Sequence, residues 1–132
     1  MAIEMQGFKF SGVYYNASPT TRATQFSVMQ SRGTTYDLQV IECASNGDIA
    51  CGVLQNTPLS GQAAEIMVSG MSKVICGIAC AAGTVISPAT GGKVYVATTG
   101  SAIMGQMVVG GTADGNIGSA IISCFQSVIK PA

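Results

Sequence analysis

From Val74 to Ala113 the chain carries a single charged residue, Lys93, and glycine, proline, serine or threonine interrupts it every few positions. An uncharged stretch of that length suggests a membrane span, yet a transmembrane helix needs about 20 predominantly apolar residues in succession. Gly77, Gly83, Thr84, Ser87, Pro88, Gly91, Gly92, Thr98, Thr99, Gly100 and Gly105 break the run too often for that. The pattern fits short strands joined by tight turns, and 17 glycines against 4 prolines agree with it. No membrane span is expected, and the expected fold class is mainly β: a small β-barrel or β-sandwich of short strands in one domain.

Strand-like segments run through Tyr36 to Ile41, Ile49 to Leu54, Glu65 to Val68, Lys73 to Cys76, Thr84 to Ile86, Lys93 to Ala97, Ala102 to Val108 and Asn116 to Phe125. Between them stand Asn46-Gly47-Asp48, read as a hairpin turn, then Asn56-Thr57-Pro58, Ser60-Gly61, Gly70, Pro88, Gly91-Gly92, Gly100 and Asp114-Gly115. Residues 1–35 differ. They are rich in Gln, Ser, Thr, Tyr and Phe and lack sustained apolar alternation, so they read as an extended N-terminal arm before a β-rich domain over 36–132. Within the arm, Phe8 to Tyr15 has strand propensity, Asn16-Ala17-Ser18-Pro19 is a turn, and Thr20 to Gln30 reads as a short helix or an irregular crossover. The order strand, Gly, strand, turn, strand occurs twice, at Ile49 to Val68 and at Ala102 to Ile122, as two related hairpins of one barrel would produce.

Six Lys plus Arg balance six Asp plus Glu, so no long-range field draws the protein to nucleic acid or an anionic membrane. The chain contains no His, which removes the usual neutral-pH base and the central member of Ser and Cys triads. Five cysteines without an N-terminal apolar leader read as reduced, buried thiols. Cys76-Gly77-Ile78-Ala79-Cys80 has a spacing that a zinc site could use, with Cys43, Cys51 and Cys124 as the other thiolates, but no second knuckle pair accompanies it. Gly110 to Gly115 is glycine-rich without the Gly-Lys-Ser/Thr of a phosphate loop, and Lys73 lacks the flanking motif of a lipoyl or biotinyl display lysine. No catalytic residue, cofactor or metal site is expected. With 9% charged residues, the surface of such a domain calls for self-association or incorporation in a larger assembly.

Four segments carry a resemblance. Asn46 to Leu54, Gly61 to Gly70, Ile78 to Ile86 and Gly91 to Gly100 follow one another in an order that resembles the capsid decoration, or cement, proteins of tailed bacteriophages, over about Gly47 to Phe125. The resemblance implies a homotrimer on the outer surface of a virion head, bound to the major capsid protein and bridging its neighbouring subunits, with no catalytic residues to carry over. The arm departs from that pattern. An arm could add a strand to the capsid through Gly7 to Tyr15, with Phe8, Phe10 and Tyr14 on one side and Tyr15 beside them as capsid contacts. The same aromatics equally suit the domain's own core. Competing readings are a self-assembling small coat protein, disfavoured by the lack of a basic face, and a carrier or enzyme domain using Lys73 or the cysteines.

Overall fold

The computed structural model describes residues 7–124 and 128–130. Strands β1 (Lys9–Tyr14), β2 (Val28–Ser31), β3 (Gln39–Glu42), β4 (Ala50–Leu54) and β5 (Ala63–Met67) close into a barrel in the order β1-β3-β2-β4-β5. Strands β6 (Ser69–Ile75), β7 (Val85–Pro88), β8 (Val94–Val96), β10 (Gly105–Val109) and β11 (Ile117–Ser123) form a second sheet in the order β6-β11-β10-β7-β8. A short ladder pairs β9 (Ala102–Ile103) with β12 (Val128–Ile129). Val68 alone separates β5 from β6, so the chain enters the second sheet with no linker. The mainly β barrel expected from the glycine-punctuated pattern is the fold observed.

The second sheet also closes on itself. Cys76, just past β6, bridges Val94 of β8 in parallel, as Tyr14 of β1 pairs in parallel with Val40 of β3. Every pairing of the first barrel has such a counterpart. Met29 opposite Gly52 repeats as Ile86 opposite Gly105. Leu54 opposite Ile66 repeats as Met107 opposite Ala120, and Phe10 opposite Ile66 as Ser72 opposite Ala120. Turn hydrogen bonds match as well: Tyr15 N–H to Val40 O (3.0 Å) and Gly77 N–H to Val94 O (2.9 Å), or Gly61 N–H to Tyr14 O and Gly115 N–H to Cys76 O, both 2.7 Å. The molecule is thus two copies of one five-stranded barrel in tandem. The echo in the sequence is real, but its two hairpins belong to different barrels instead of closing one.

One barrel interior holds Tyr14, Met29, Val40, Leu54, Ala64 and Ile66. The other core runs from Val74, Ile86, Val94, Met107 and Ala120 into Val28, Val53 and Met67 of the first half. These last three sit opposite one another across β2, β4 and β5 and alternate with interior residues, so they point outward from the first barrel. All three are fully buried, because the second half covers them.

The expectation of an arm over residues 1–35 gives way here. β1 pairs with β3 and β5, and β2 with β3 and β4, so strands from both sides of the proposed boundary at residue 35 build one barrel. A strand built on Gly12, Val13 and Tyr14 needs no apolar run of its own when its partners supply the other walls of the core. Other readings change as well. Tyr36 to Leu38 is turn, with Leu38 at a positive φ of 61°, so β3 begins only at Gln39. Asn46-Gly47-Asp48 is a crossover instead of a hairpin turn, since β3 and β4 are not neighbours. Ala102 to Val108 splits at Met104 into β9 and β10, Gly70 lies inside β6, and the Thr20 to Gln30 connection is irregular until β2 begins at Val28. Phe125, residues 1–6 and the rest of the C-terminus beyond residue 130 lie outside the described residues.

Two carboxylates beside that crossover titrate in opposite senses. Burial works against ionised Asp48, but the amides of Ala44 and Ser45, at 2.7 and 2.9 Å, with the Ser45 hydroxyl and Gln30, hold its carboxyl below the usual range. Half-buried Glu42 has its carboxyl pushed up by desolvation. Asp48 therefore contributes stability above its unfolded pKa of about 4, lost as pH falls through the folded value. Glu42 does the reverse: its charge opposes folding once pH rises above the unfolded value. Denaturation of Asp48→Asn should show a stability loss at pH 7 that shrinks toward pH 3, and Glu42→Gln a gain at pH 7 that shrinks over the same range.

Candidate interaction surfaces

The four aromatic positions singled out in the sequence separate in the structure. Tyr14 is 3% exposed and belongs to the first barrel's core, and Phe10 packs against both cores. Their spacing on β1 does place them on one side, but that side is the barrel interior. Phe8, just before β1, is exposed. Tyr15, just after it, lies at the surface, where the Arg32 guanidinium sits 3.4 Å from its ring centroid and 3.7 Å from that of Tyr36. Arg32 also donates to Gln39 Oε1 at 2.7 Å, which fixes its plane between the two rings.

Beside this stack the chain exposes Val13, Tyr36 and Leu38, the last at 69%. Leu38 is held in place by its carbonyl, which accepts Val13 N–H at 2.9 Å. The tandem repeat shows what is unusual about it. The position corresponding to Leu38 in the second half is Gly92, with φ of 70°, and the position corresponding to Phe26, with φ of 70°, is Gly83, with φ of 90°. The fold needs a left-handed residue at both places, and the second half uses glycine, which adopts it without a Cβ penalty. Phe26 recovers its strain by packing against the core. Leu38 has no such compensation: its side chain is in solvent. Residues kept strained at the surface cluster at binding sites, and nothing in the sequence marked this one, because the Tyr36, Leu38, Val40 alternation imitates an ordinary strand.

Reactive chemistry is poorly served. All five cysteines are free, and burial raises each described thiol, to about 11 for Cys51 and Cys80 and about 12 for Cys124, so they stay protonated at neutral pH. Cys76 and Cys80 both lie inside the second core, where the Cys80 thiol donates to Val94 O at 3.8 Å. Among the described residues no three Cys, Asp or Glu side chains converge as metal ligands. Lys73 stands in the middle of β6 opposite Ser119, not on a hairpin tip, with its ammonium 5.6 Å from the Phe26 ring. Gly110 to Gly115 connects β10 to β11, and Asp114 within it pairs with Lys93 at 2.7 Å. A cavity of about 230 Å³ lies where the Ser45–Asn46 crossover meets β7 and β8, lined by Ser87, Tyr95, Thr98 and Ser101 without a charged side chain.

No family model matches the chain, and neither does any curated protein. Among solved structures it is similar to the crystal structure of the head fiber gp8.5 N base in bacteriophage phi29, with a TM-score of 0.65 and 15% identity over 88% of this chain and 93% of that one. At that identity the likeness is one of fold, and it extends over nearly the whole of both chains: this protein has the fold of a phage head fiber base.

Proposed function

We propose that this chain is a structural protein of a phage virion, bound as a homotrimer to the outer surface of the head, where it bridges neighbouring major capsid subunits and stabilises the shell. The observation that carries the reading is the fold shared with the phi29 head fiber base along 88% of the chain. The low, balanced charge and the protonated thiols are in keeping with a rigid, unreactive binding module. In place of a free arm, the capsid-contacting surface in this reading is the rigid patch of Val13, Tyr15, Tyr36 and Leu38 around Arg32. Three such patches on one trimer engage three capsid sites together, so modest affinity per patch becomes firm retention through effective concentration. Binding only the intact shell adds to its stability by mass action.

The test is co-sedimentation of purified protein with mature phage heads stripped of surface proteins. Wild type should pellet with heads at saturating stoichiometry. Leu38→Gly separates binding from folding: relief of left-handed strain, about 1–2 kcal/mol, outweighs glycine's entropic cost of about 0.5–1 kcal/mol, so the protein should be as stable as wild type or slightly more so. It should bind heads at least 10-fold more weakly. Wild type that stays in the supernatant would sink the capsid reading, and Leu38→Gly binding like wild type would remove Leu38 from the contact.

A further inference from the structure

The cavity beside the Ser45–Asn46 crossover lies at a position that the first barrel fills with its own side chains. There Gln30 stands opposite Ile41 and reaches Asp48, its amide donating to Oδ2 at 3.1 Å. In the second barrel Ser87 takes the place of Gln30 and Tyr95 that of Ile41, in the same pairing. Ser101 takes the place of Asp48. It stands four residues before Gly105 as Asp48 stands four before Gly52, and its Oγ accepts Thr98 N–H at 3.1 Å as Asp48 Oδ2 accepts Ala44 N–H at 2.7 Å. Two serines thus replace a glutamine and an aspartate, and a space of about 230 Å³ opens where the longer side chains would meet.

The walls of that space select a ligand. Ile86 faces the second core, so Ser87 beside it points outward, into the cavity it lines. Ser87 is 1% exposed, and among the described residues its hydroxyl has no hydrogen-bond partner. A buried hydroxyl without a partner is costly, and a ligand that bonds to it recovers the cost. Asn46 Nδ2 donates to Ser101 Oγ at 3.2 Å and so ties the first half's crossover to the site. The Tyr95 ring, partly exposed, is seated against Gly77, where a Cβ would collide with it. No charged side chain lines the cavity, so an ionic ligand would lose its hydration without compensation, and an aliphatic one would leave Ser87 unpaired. A neutral ring with hydroxyls on its edge and C–H groups on its face satisfies both the serines and the tyrosine. Pockets for drug-sized ligands hold about 300–1,000 Å³, so this smaller one takes a single ring. We infer that the cavity binds one uncharged sugar unit, Ser87 and Ser101 bonding its hydroxyls and Tyr95 covering its C–H face. The site needs neither the trimer nor the capsid contact proposed above.

Amide NMR of the isotopically labelled full chain tests this without phage heads. The probes are the methyl glycosides of glucose, galactose, mannose and N-acetylglucosamine, with methyl glucuronide as a charged control and glycerol as a small polyol. At least one neutral glycoside should give saturable shifts confined to Asn46, Ser87, Tyr95, Thr98 and Ser101, and neither control should. The double variant Ser87→Gln/Ser101→Asp rebuilds the pair that the first barrel already accommodates, fills the cavity, and should abolish those shifts with circular dichroism unchanged. Should that pair fail to fold in the second barrel, Tyr95→Ile installs the first barrel's own residue at an exposed strand position and should weaken binding at least tenfold. No saturable shift with any of the four glycosides overturns the inference. Equal shifts with glycerol or the glucuronide overturn the assignment to an uncharged sugar, and shifts that survive in a folded variant, or that map elsewhere, overturn the site. Each of these results leaves co-sedimentation with heads, and hence the virion reading, to be judged separately.

Discussion

Removal of residues 1–16 is expected to leave a chain that does not fold. The deletion takes out β1, which pairs with β3 on one side and β5 on the other and so closes the first barrel. With it go Val13 N–H to Leu38 O (2.9 Å), Tyr14 N–H to Gln62 O (3.0 Å) and Gly61 N–H to Tyr14 O (2.7 Å), exposing backbone on both neighbouring strands. The milder variant Tyr14→Ala removes the largest aromatic side chain from a closed interior. Truncating a buried aromatic costs about 3–5 kcal/mol, a large part of the roughly 5–15 kcal/mol that holds a domain of this size together. Circular dichroism and thermal denaturation of both variants give the answer. A truncated protein that keeps its β signal and melts cooperatively would mean that β1 is a detachable arm after all.

Phe8 to Tyr15 reads as a strand in the sequence, and the reason its place in the barrel escapes that reading is physical. A strand is legible when its own residues alternate, and β1 contributes Phe10 and Tyr14 to the core with glycine at position 12 between them, where the Leu38 carbonyl approaches too closely for a side chain. The pairing that secures it, parallel to β3, joins segments separated by a long connection, and no turn motif announces it. By contrast, β4, β5, β10 and β11 are antiparallel neighbours connected by turns rich in glycine and proline, and their apolar pattern was visible both as strands and as a repeat. The proposed contact patch was the least legible. Tyr15, Arg32 and Tyr36 are brought together by the crossing of β1, β2 and β3, and Leu38 stands out only once its counterpart is seen to be glycine.

The repeat itself makes the last prediction, that Gly52→Ala and Gly105→Ala fail in the same way. An ideal Cβ on Gly52 would lie 2.5 Å from the Met67 carbonyl oxygen, and one on Gly105 would meet the carbonyl oxygen of Ile121, the residue that corresponds to Met67, closer still. Neither obstruction can rotate away, because each is backbone within a paired strand, so the methyl must push β4 from β5 or β10 from β11. Overpacking of this kind typically costs about 1–3 kcal/mol, and a collision with strand backbone belongs at or above the top of that range. Gly61 and Gly115 are the internal control. They also correspond to each other, with φ of 89° and 88°, but a Cβ on either meets nothing within 4 Å. Alanine there bears only left-handed strain, about 1–2 kcal/mol. Urea midpoints of the four variants should therefore fall into two pairs, Gly52 with Gly105 and Gly61 with Gly115, with the first pair the less stable. A large loss at Gly52 beside a small one at Gly105 would mean that the second barrel relaxes where the first cannot, and that the shared strand order does not carry a shared packing.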